Sequence, residues 1–239
     1  MINNILPSVI ILYGPPLAGK GTQADFLEKH LKDYVHLDFG TELRNYVKDG
    51  LNQTENKDMF DRAMRLDQKM NAGEGVDTVD LRFVVEEKVV NTLKSDKKLL
   101  VEGPGRKVEE AKWLANFFES QKIDVIIFHL HLNLDEAIKR SKTRWYIPNK
   151  VLPFLNYEDA LKESPDGEKP YQRYEDLDPA INTRRYSDIY LNVFAKVLEI
   201  YLLSSSSKVF IVDASENIHD VSTIIAAYLK KYYGFKLIY

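Results

Sequence analysis

An apolar run, Val9-Ile-Ile-Leu-Tyr13, passes without a polar break into Gly14-Pro-Pro-Leu-Ala-Gly-Lys-Gly-Thr-Gln23, and a helical pattern comes next. Few folds accommodate that order. A buried strand that delivers a glycine-rich loop into a helix turns several backbone N–H groups inward around one point. The helix aims the positive end of its dipole at the same point, and Lys20 adds a full charge. The spacing from Gly14 to Gly19-Lys20 fits a loop that cradles phosphates. Gly21 stands where Ser or Thr commonly follows the lysine, and Thr22 comes one place later. The arrangement implies a nucleoside triphosphate as ligand.

Composition narrows the alternatives. The 239 residues can bury one substantial core with room for insertions. A formal charge of -3 argues against a nucleic-acid binder, which commonly carries a basic excess. Cysteine is absent, which excludes disulfides, thiolate metal clusters and a cysteine nucleophile. The N-terminal apolar stretch lacks a basic flank and is too short to span a bilayer. A cytoplasmic protein without membrane or nucleic-acid partners is expected.

Five short apolar runs, at 9–13, 34–37, 99–101, 125–130 and 209–212, lack polar alternation and read as buried parallel strands. Helical patterns cover 22–32, 80–93, 108–120, 134–145, 179 to about 203, and 218–232. Asn133 and Glu136 stand at capping-box spacing, and Asp178 precedes a first-turn proline. Alternating strand and helix predict an α/β fold, a doubly wound, parallel five-stranded sheet of the P-loop NTPase type. Residues 39–79 and 145–177 break the alternation and read as two lobes inserted over the C-terminal edge of the sheet. The core is then 1–38, 80–144 and 178–239.

Arginines recur where those strands should end and at the margins of the insertions: Arg44, Arg106, Arg140, Arg144, Arg173 and Arg184. Any one of them could be a solvated surface charge. Several converging on one phosphate loop suit a site with more than one phosphate, because guanidinium binds phosphate oxygens in bidentate fashion.

The motifs reach a family. Gly14–Gln23 resembles the phosphate loop of adenylate kinase and its nucleoside-monophosphate kinase relatives. Leu37-Asp-Phe-Gly-Thr-Glu-Leu-Arg44 is similar to the family's monophosphate segment, I-S-T-G-D-x-L-R. Met70-Asn-Ala-Gly-Glu-Gly-Val76 resembles the M-x-x-G-x-x-V turn whose backbone holds the acceptor base. Val101-Glu-Gly-Pro-Gly-Arg106 is similar to D-G-F-P-R, and Arg140 with Arg144 to R-x-x-x-R. Gly167-Glu-Lys-Pro-Tyr-Gln-Arg173-Tyr-Glu-Asp176 resembles G-E-x-x-x-Q-R-x-D-D, with Arg184 at the family's spacing. Val212-Asp213 fits the V-D before the last helix.

The resemblance implies transfer of the γ-phosphoryl group of MgATP to a nucleoside monophosphate, AMP or one with another base. It makes 39–79 the monophosphate-binding lobe and 145–177 a mobile lid. ATP would lie on Gly14, Pro15, Ala18, Gly19, Lys20, Gly21 and Thr22 with Arg140 and Arg144. The monophosphate would meet Phe39, Gly40, Arg44, Val76, Gly103, Arg106, Glu110, Arg173 and Arg184. Lys20, Arg106, Arg140, Arg144, Arg173 and Arg184 would surround the group in transfer. Thr22 and Glu102 would organise Mg2+, largely through water. A monomer is expected. The competing reading is a P-loop regulatory protein that binds nucleotide with little turnover.

Three positions depart from the family. Phe39 replaces a threonine that contacts adenine, Pro104-Gly105 replaces Phe-Pro, and Glu110 replaces a glutamine that reads the adenine edge. A carboxylate can only accept, so losing the amide donor costs on the order of 1–3 kcal/mol against adenine. Adjacent donors, as on guanine, would suit it better. The alternative is a surface Glu110 in a first helical turn, with the base read by the backbone of the 70–76 turn. His129 and His131 share one strand face and read as packed histidines in preference to metal ligands.

Overall fold

The computed structural model describes residues 7–72, 74–105, 107–148, 150, 153–165 and 167–234. The elements run β1 (Val9–Tyr13), α1 (Lys20–His30), β2 (Tyr34–Asp38), α2 (Phe39–Leu51), α3 (Lys57–Asn71), α4 (Thr78–Lys94), β3 (Lys98–Glu102), α5 (Val108–Ser120) and β4 (Val125–His131). They continue through α6 (Leu134–Ser141), α7 (Tyr157–Lys162), α8 (Tyr174–Leu177), α9 (Pro179–Tyr186), a π-helical turn (Ser187–Leu191), α10 (Phe194–Leu203), β5 (Ser207–Asp213) and α11 (Ile218–Tyr233).

The five strands form one parallel sheet in the order β2-β3-β1-β4-β5. This is the doubly wound α/β sheet expected of a P-loop NTPase. Central β1 is apolar at every position because helices cover both faces, and all five of its residues are buried. In register, Leu12 of β1 pairs with Glu102 of β3 and Tyr13 pairs with His129 of β4. The C-terminal ends of β1, β3 and β4 therefore finish together, where ligands bind in open α/β sheets.

β5 differs from the expectation of a fully buried strand. It is the edge of the sheet, and Ile211 is 63% exposed while Val212 is buried. Its Phe210 instead stacks on α11, 4.4 Å from the ring of Tyr228.

Two helices also stop earlier than their periodicity predicts. The pattern at 134–145 ends at Ser141 because Trp145 N–H and Tyr146 N–H are drawn to the carbonyls of Phe154 (2.9 Å) and Tyr171 (2.8 Å). The long pattern from 179 is split into α9 and α10. Asn192 N–H reaches Ser187 O at 2.9 Å, the five-residue step of a π-helix, and Val193 (φ -123) breaks the backbone before α10. Asp178 caps α9 as expected, accepting from Ala180 N–H at 2.8 Å, and Asn133 caps α6 by accepting from Glu136 N–H at 2.8 Å.

The stretch 39–79 contains α2 and α3, packed on each other, and Gly50 lies so close to Ala63 that a Cβ would stand 2.6 Å away. The stretch 145–177 carries α7, α8 and two isolated antiparallel bridges. Among the described residues no helix is long and apolar enough to cross a membrane.

Candidate active site

A cavity of about 530 Å3 opens over the ends of β1 and β3. Its floor is the loop from Gly14 to Thr22. Gly14 is required by a close approach: a Cβ there would stand 2.4 Å from the carbonyl oxygen of Leu130 on β4. Gly19, at φ +82, supplies the left-handed turn that starts α1, and the first turn of α1 holds no acidic side chain to oppose an anion. Lys20 arches back over the loop and donates to the carbonyls of Gly14 (3.1 Å) and Pro15 (2.7 Å), which holds its ammonium at the mouth. Gln23 is buried and joins α1 to α11, donating to Ile218 O at 3.1 Å and accepting from Ser222 at 2.8 Å.

The opposite wall comes from the C-terminal ends of β2 and β3 and from the segments that leave them. Asp38 caps α2, accepting from the N–H groups of Gly40 and Thr41 at 3.0 Å each, and it also receives Arg44 at 3.3 Å. Arg44 donates a second bond to Thr41 Oγ1 at 2.8 Å, so its guanidinium is steered before any ligand arrives. Gly103, Pro104 and Gly105 come directly after β3. Gly105 has φ +85, and a Cβ would meet the Tyr13 ring at 2.9 Å and Val197 at 3.1 Å. This explains the glycine that departs from the family pattern: the loop lies flat on Tyr13 and α10.

The roof carries the remaining cations. Arg140 donates to the carbonyls of Ala214 (2.6 Å) and Ser215 (3.4 Å), tying α6 to the loop after β5. Arg144 faces the buried Asp176 at 3.5 Å and donates to the Tyr146 hydroxyl. Arg173 stacks over the Tyr146 ring at 4.0 Å. Among the described residues, six basic side chains (Lys20, Arg44, Arg140, Arg144, Arg173, Arg185) line this cavity against three carboxylates, Asp38, Glu102 and Glu216. Such an excess, on rigid supports, favours a highly anionic ligand.

A family model described as an AAA domain matches residues 13–145. The chain is similar to the adenylate kinase of Petrotoga mobilis, 27% identical over 219 residues that cover 89% of this chain and 93% of the relative. It is similar to the adenylate kinase of Pelagibacter ubique, 29% identical across 92% of this chain and 99% of that one. The adenylate kinase of Methanocella arvoryzae is also 29% identical, across 92% and 98%. The chain belongs to the adenylate kinase family. It is an ATP-dependent phosphotransferase of the nucleoside-monophosphate kinase group.

Within this adenylate kinase family member, the cavity gathers Gly14, Gly19, Lys20, Gly21, Thr22, Gly40, Arg44, Glu102, Gly103, Arg140, Arg144 and Arg173 of the residues expected from sequence. Pro15 and Ala18 are buried supports of the loop that do not line the cavity. Arg106 lies outside the described residues. Four expectations differ. Phe39 is 1% exposed and belongs to the continuous core, where an apolar first residue of α2 anchors that helix. Val76 packs against the same core. Glu110 is 2% exposed; burial pushes the phenols of Tyr13 and Tyr201 above their ordinary pKa, and the charge of Glu110 adds a smaller push in the same direction. Glu110 is neither a surface residue nor a wall of the cavity. Arg184 turns away to the carbonyl of Ala72, and its neighbour Arg185 lines the cavity in its place.

Sequence reasoning also missed Asp38, Leu155, Ile189 and the segment 216–218. The last of these carried a usable signal, since the loop after β5 belongs to the ligand edge of any doubly wound sheet. His129 and His131 converge on the Tyr190 hydroxyl at 2.8 and 3.3 Å, as packed histidines, and no three-residue metal cluster occurs among the described residues.

The oxygen donors Thr22, Asp38 and Glu102 line the cavity together, and among the described lining residues there is no histidine, cysteine or methionine. That set fits Mg2+, which keeps several waters and takes one or two carboxylates plus substrate phosphates. Glu102 also stands 3.4 Å from His36. Burial would lower the pKa of His36, but the hydrogen bond and charge of Glu102, with Glu28 and Asp38, outweigh it and raise it.

Proposed function

We propose that the chain transfers the γ-phosphoryl group of ATP to AMP, with ATP on the 14–22 loop and AMP on the side of Arg44, Gly103 and Arg106. The observation that carries this reading is one cavity walled by the phosphate loop and by arginines from both insertions, Arg44 and Arg173. A single nucleotide does not need cations on opposite walls; two phosphate chains meeting end to end do.

In this reading 39–79 is the acceptor lobe and 145–177 the lid. No general base is required, because the attacking monophosphate oxygen is already ionised near neutral pH. The protein must align two anions that repel each other and neutralise the charge in flight. Lys20 and the N–H groups of the loop grip the donor's phosphates. Arg44, steered by Asp38 and Thr41, and Arg106 hold the acceptor phosphate. Arg140, Arg144, Arg173 and Arg185 approach the transferring group from the roof, and one such arginine is worth roughly 10³–10⁵ in rate. Thr22 and Glu102 would hold Mg2+ through water, and the bound ion would supply positive charge against the donor's phosphates. Pro153, Leu155 and Ile189 add apolar wall, which helps to exclude water and so prevents hydrolysis of ATP.

Glu110 is 2% exposed and outside the cavity lining, which argues against it as a reader of the acceptor base. The base is left to the backbone of the 70–76 turn, and AMP is inferred from the relatives' names. We read the chain as a monomer acting in the cytoplasm. A coupled assay of ATP against AMP, GMP, CMP and UMP tests the reading. A preference for GMP defeats the choice of AMP. Failure with all four, together with binding of one nucleotide but not of a two-nucleoside polyphosphate, would make the chain a regulator.

A further inference from the structure

Two cavity arginines from the margins of the 145–177 stretch meet on one aromatic ring. Tyr146 is 1% exposed and lies just past α6, two places after Arg144. Its backbone is fixed by an antiparallel bridge. Tyr146 N–H donates to Tyr171 O at 2.8 Å, and Tyr171 N–H donates back to Tyr146 O at 2.9 Å. Gln172 reinforces the pairing by donating to the carbonyls of Lys142 and Arg144 at 3.1 Å each. The Tyr146 hydroxyl accepts from Arg144 Nη2. The Arg173 guanidinium lies over the Tyr146 ring, 4.0 Å from its centroid, and that of Arg144 lies 5.2 Å from the same centroid. Both arginines line the cavity, whereas Tyr146 does not.

Two guanidinium groups repel each other, and each long side chain must give up rotamer freedom to hold one pose. A buried ring attracts one cation through its face and the other through its oxygen, so both are held while kept apart. Packing alone would be served as well by phenylalanine. A buried hydroxyl costs free energy unless it is hydrogen-bonded, and here its partner is an arginine of the cavity. We propose that Tyr146 is a positioning residue: its hydroxyl sets Arg144 and its ring face sets Arg173, so that both meet phosphates already oriented. The catalytic consequence rests on the proposed function, in which these arginines approach the transferring group.

The test is a pair of double-mutant cycles on the full chain. Tyr146→Phe keeps the ring and the backbone bridge, so the melting temperature should stay within about 3 °C while kcat falls about tenfold. The KM values for ATP and AMP should hold within about threefold. In an Arg144→Ala background the same change should cost less than about twofold, because the hydroxyl has lost its partner. In an Arg173→Ala background the tenfold cost should persist, since the ring face is unaltered. Tyr146→Leu removes both supports and should lower kcat about a hundredfold. An unchanged kcat in Tyr146→Phe, or a tenfold cost that survives in Arg144→Ala, would overturn the proposal and leave Tyr146 as packing alone. If the wild-type chain phosphorylates no monophosphate, the proposed function fails, and tripolyphosphate binding measured by calorimetry decides the positioning role. Tyr146→Phe should then weaken that binding several-fold in the wild-type background and not in Arg144→Ala. Equal weakening in both backgrounds, or none in either, would overturn it.

Discussion

Acidification from pH 7.5 to 5 should remove about 2 kcal/mol of folding stability through one side chain, His129. It stands on β4, 2% exposed, with its ring 5.4 Å from that of Tyr13 and 6.2 Å from that of Phe194. Its Nε2 shares a 2.8 Å hydrogen bond with the Tyr190 hydroxyl. Burial, and secondarily the neighbouring His131, lower its pKa from 6.5 to about 4. Below pH 6.5 the unfolded chain takes up a proton that the folded chain refuses. The stability is therefore complete above that value, falls as the pH drops, and levels off near pH 4, where the folded form also protonates. The full interval is worth about 3 kcal/mol, and about 2 kcal/mol of it is gone at pH 5.

Other groups titrate over the same range, so the informative quantity is the difference between wild type and His129→Phe. Urea unfolding followed by circular dichroism at pH 7.5 and at pH 5 gives both stabilities. The phenylalanine carries a constant cost at both values but no proton. The gap between the two proteins should narrow by about 2 kcal/mol on acidification. A gap that stays constant would show that His129 is not held neutral by the fold.

Gly14→Ala should lower stability by more than about 2 kcal/mol in the same urea assay, because its Cβ would lie 2.4 Å from the Leu130 carbonyl oxygen. Asp38→Ala removes the α2 cap and a partner of Arg44; about 1 kcal/mol of stability should go, and the KM for AMP should rise while that for ATP holds. Lys20→Ala should leave the melting temperature nearly unchanged and lower kcat by about 10²–10³ in the coupled assay. Chelation with EDTA should stop transfer, and added magnesium should restore it without refolding.

Much of the architecture is legible in residue patterns because covered strands are apolar on both faces. Val9–Tyr13 is the clearest case, and its passage into the glycine loop also marks the floor of the cavity. Arg44, Arg140, Arg144 and Arg173 are legible because each lies just past a strand end or borders an insertion. Arg184 stands outside the cavity lining, and Arg185 within it, for a geometric reason. Counting from Arg173 crosses Asp178, whose extended backbone (φ -106, ψ 108) breaks the helix between α8 and α9, so the phase of the next helix is lost. Two adjacent arginines then differ by a rotation that spacing cannot resolve. Glu110 fails differently. A carboxylate in a first helical turn reads as exposed, and only the fold shows that it is 2% exposed. Asp38 escapes notice because a helix cap and a wall of the cavity look alike in sequence.

Gln23 joins the first helix to the last, through Ile218 and Ser222, across almost two hundred residues. In the order of translation, the phosphate cradle leaves the ribosome first and its matching rim near 216–218 leaves last. Nascent or prematurely terminated polypeptides thus lack that rim, and a closed cavity is reserved for molecules whose synthesis has passed Ser222.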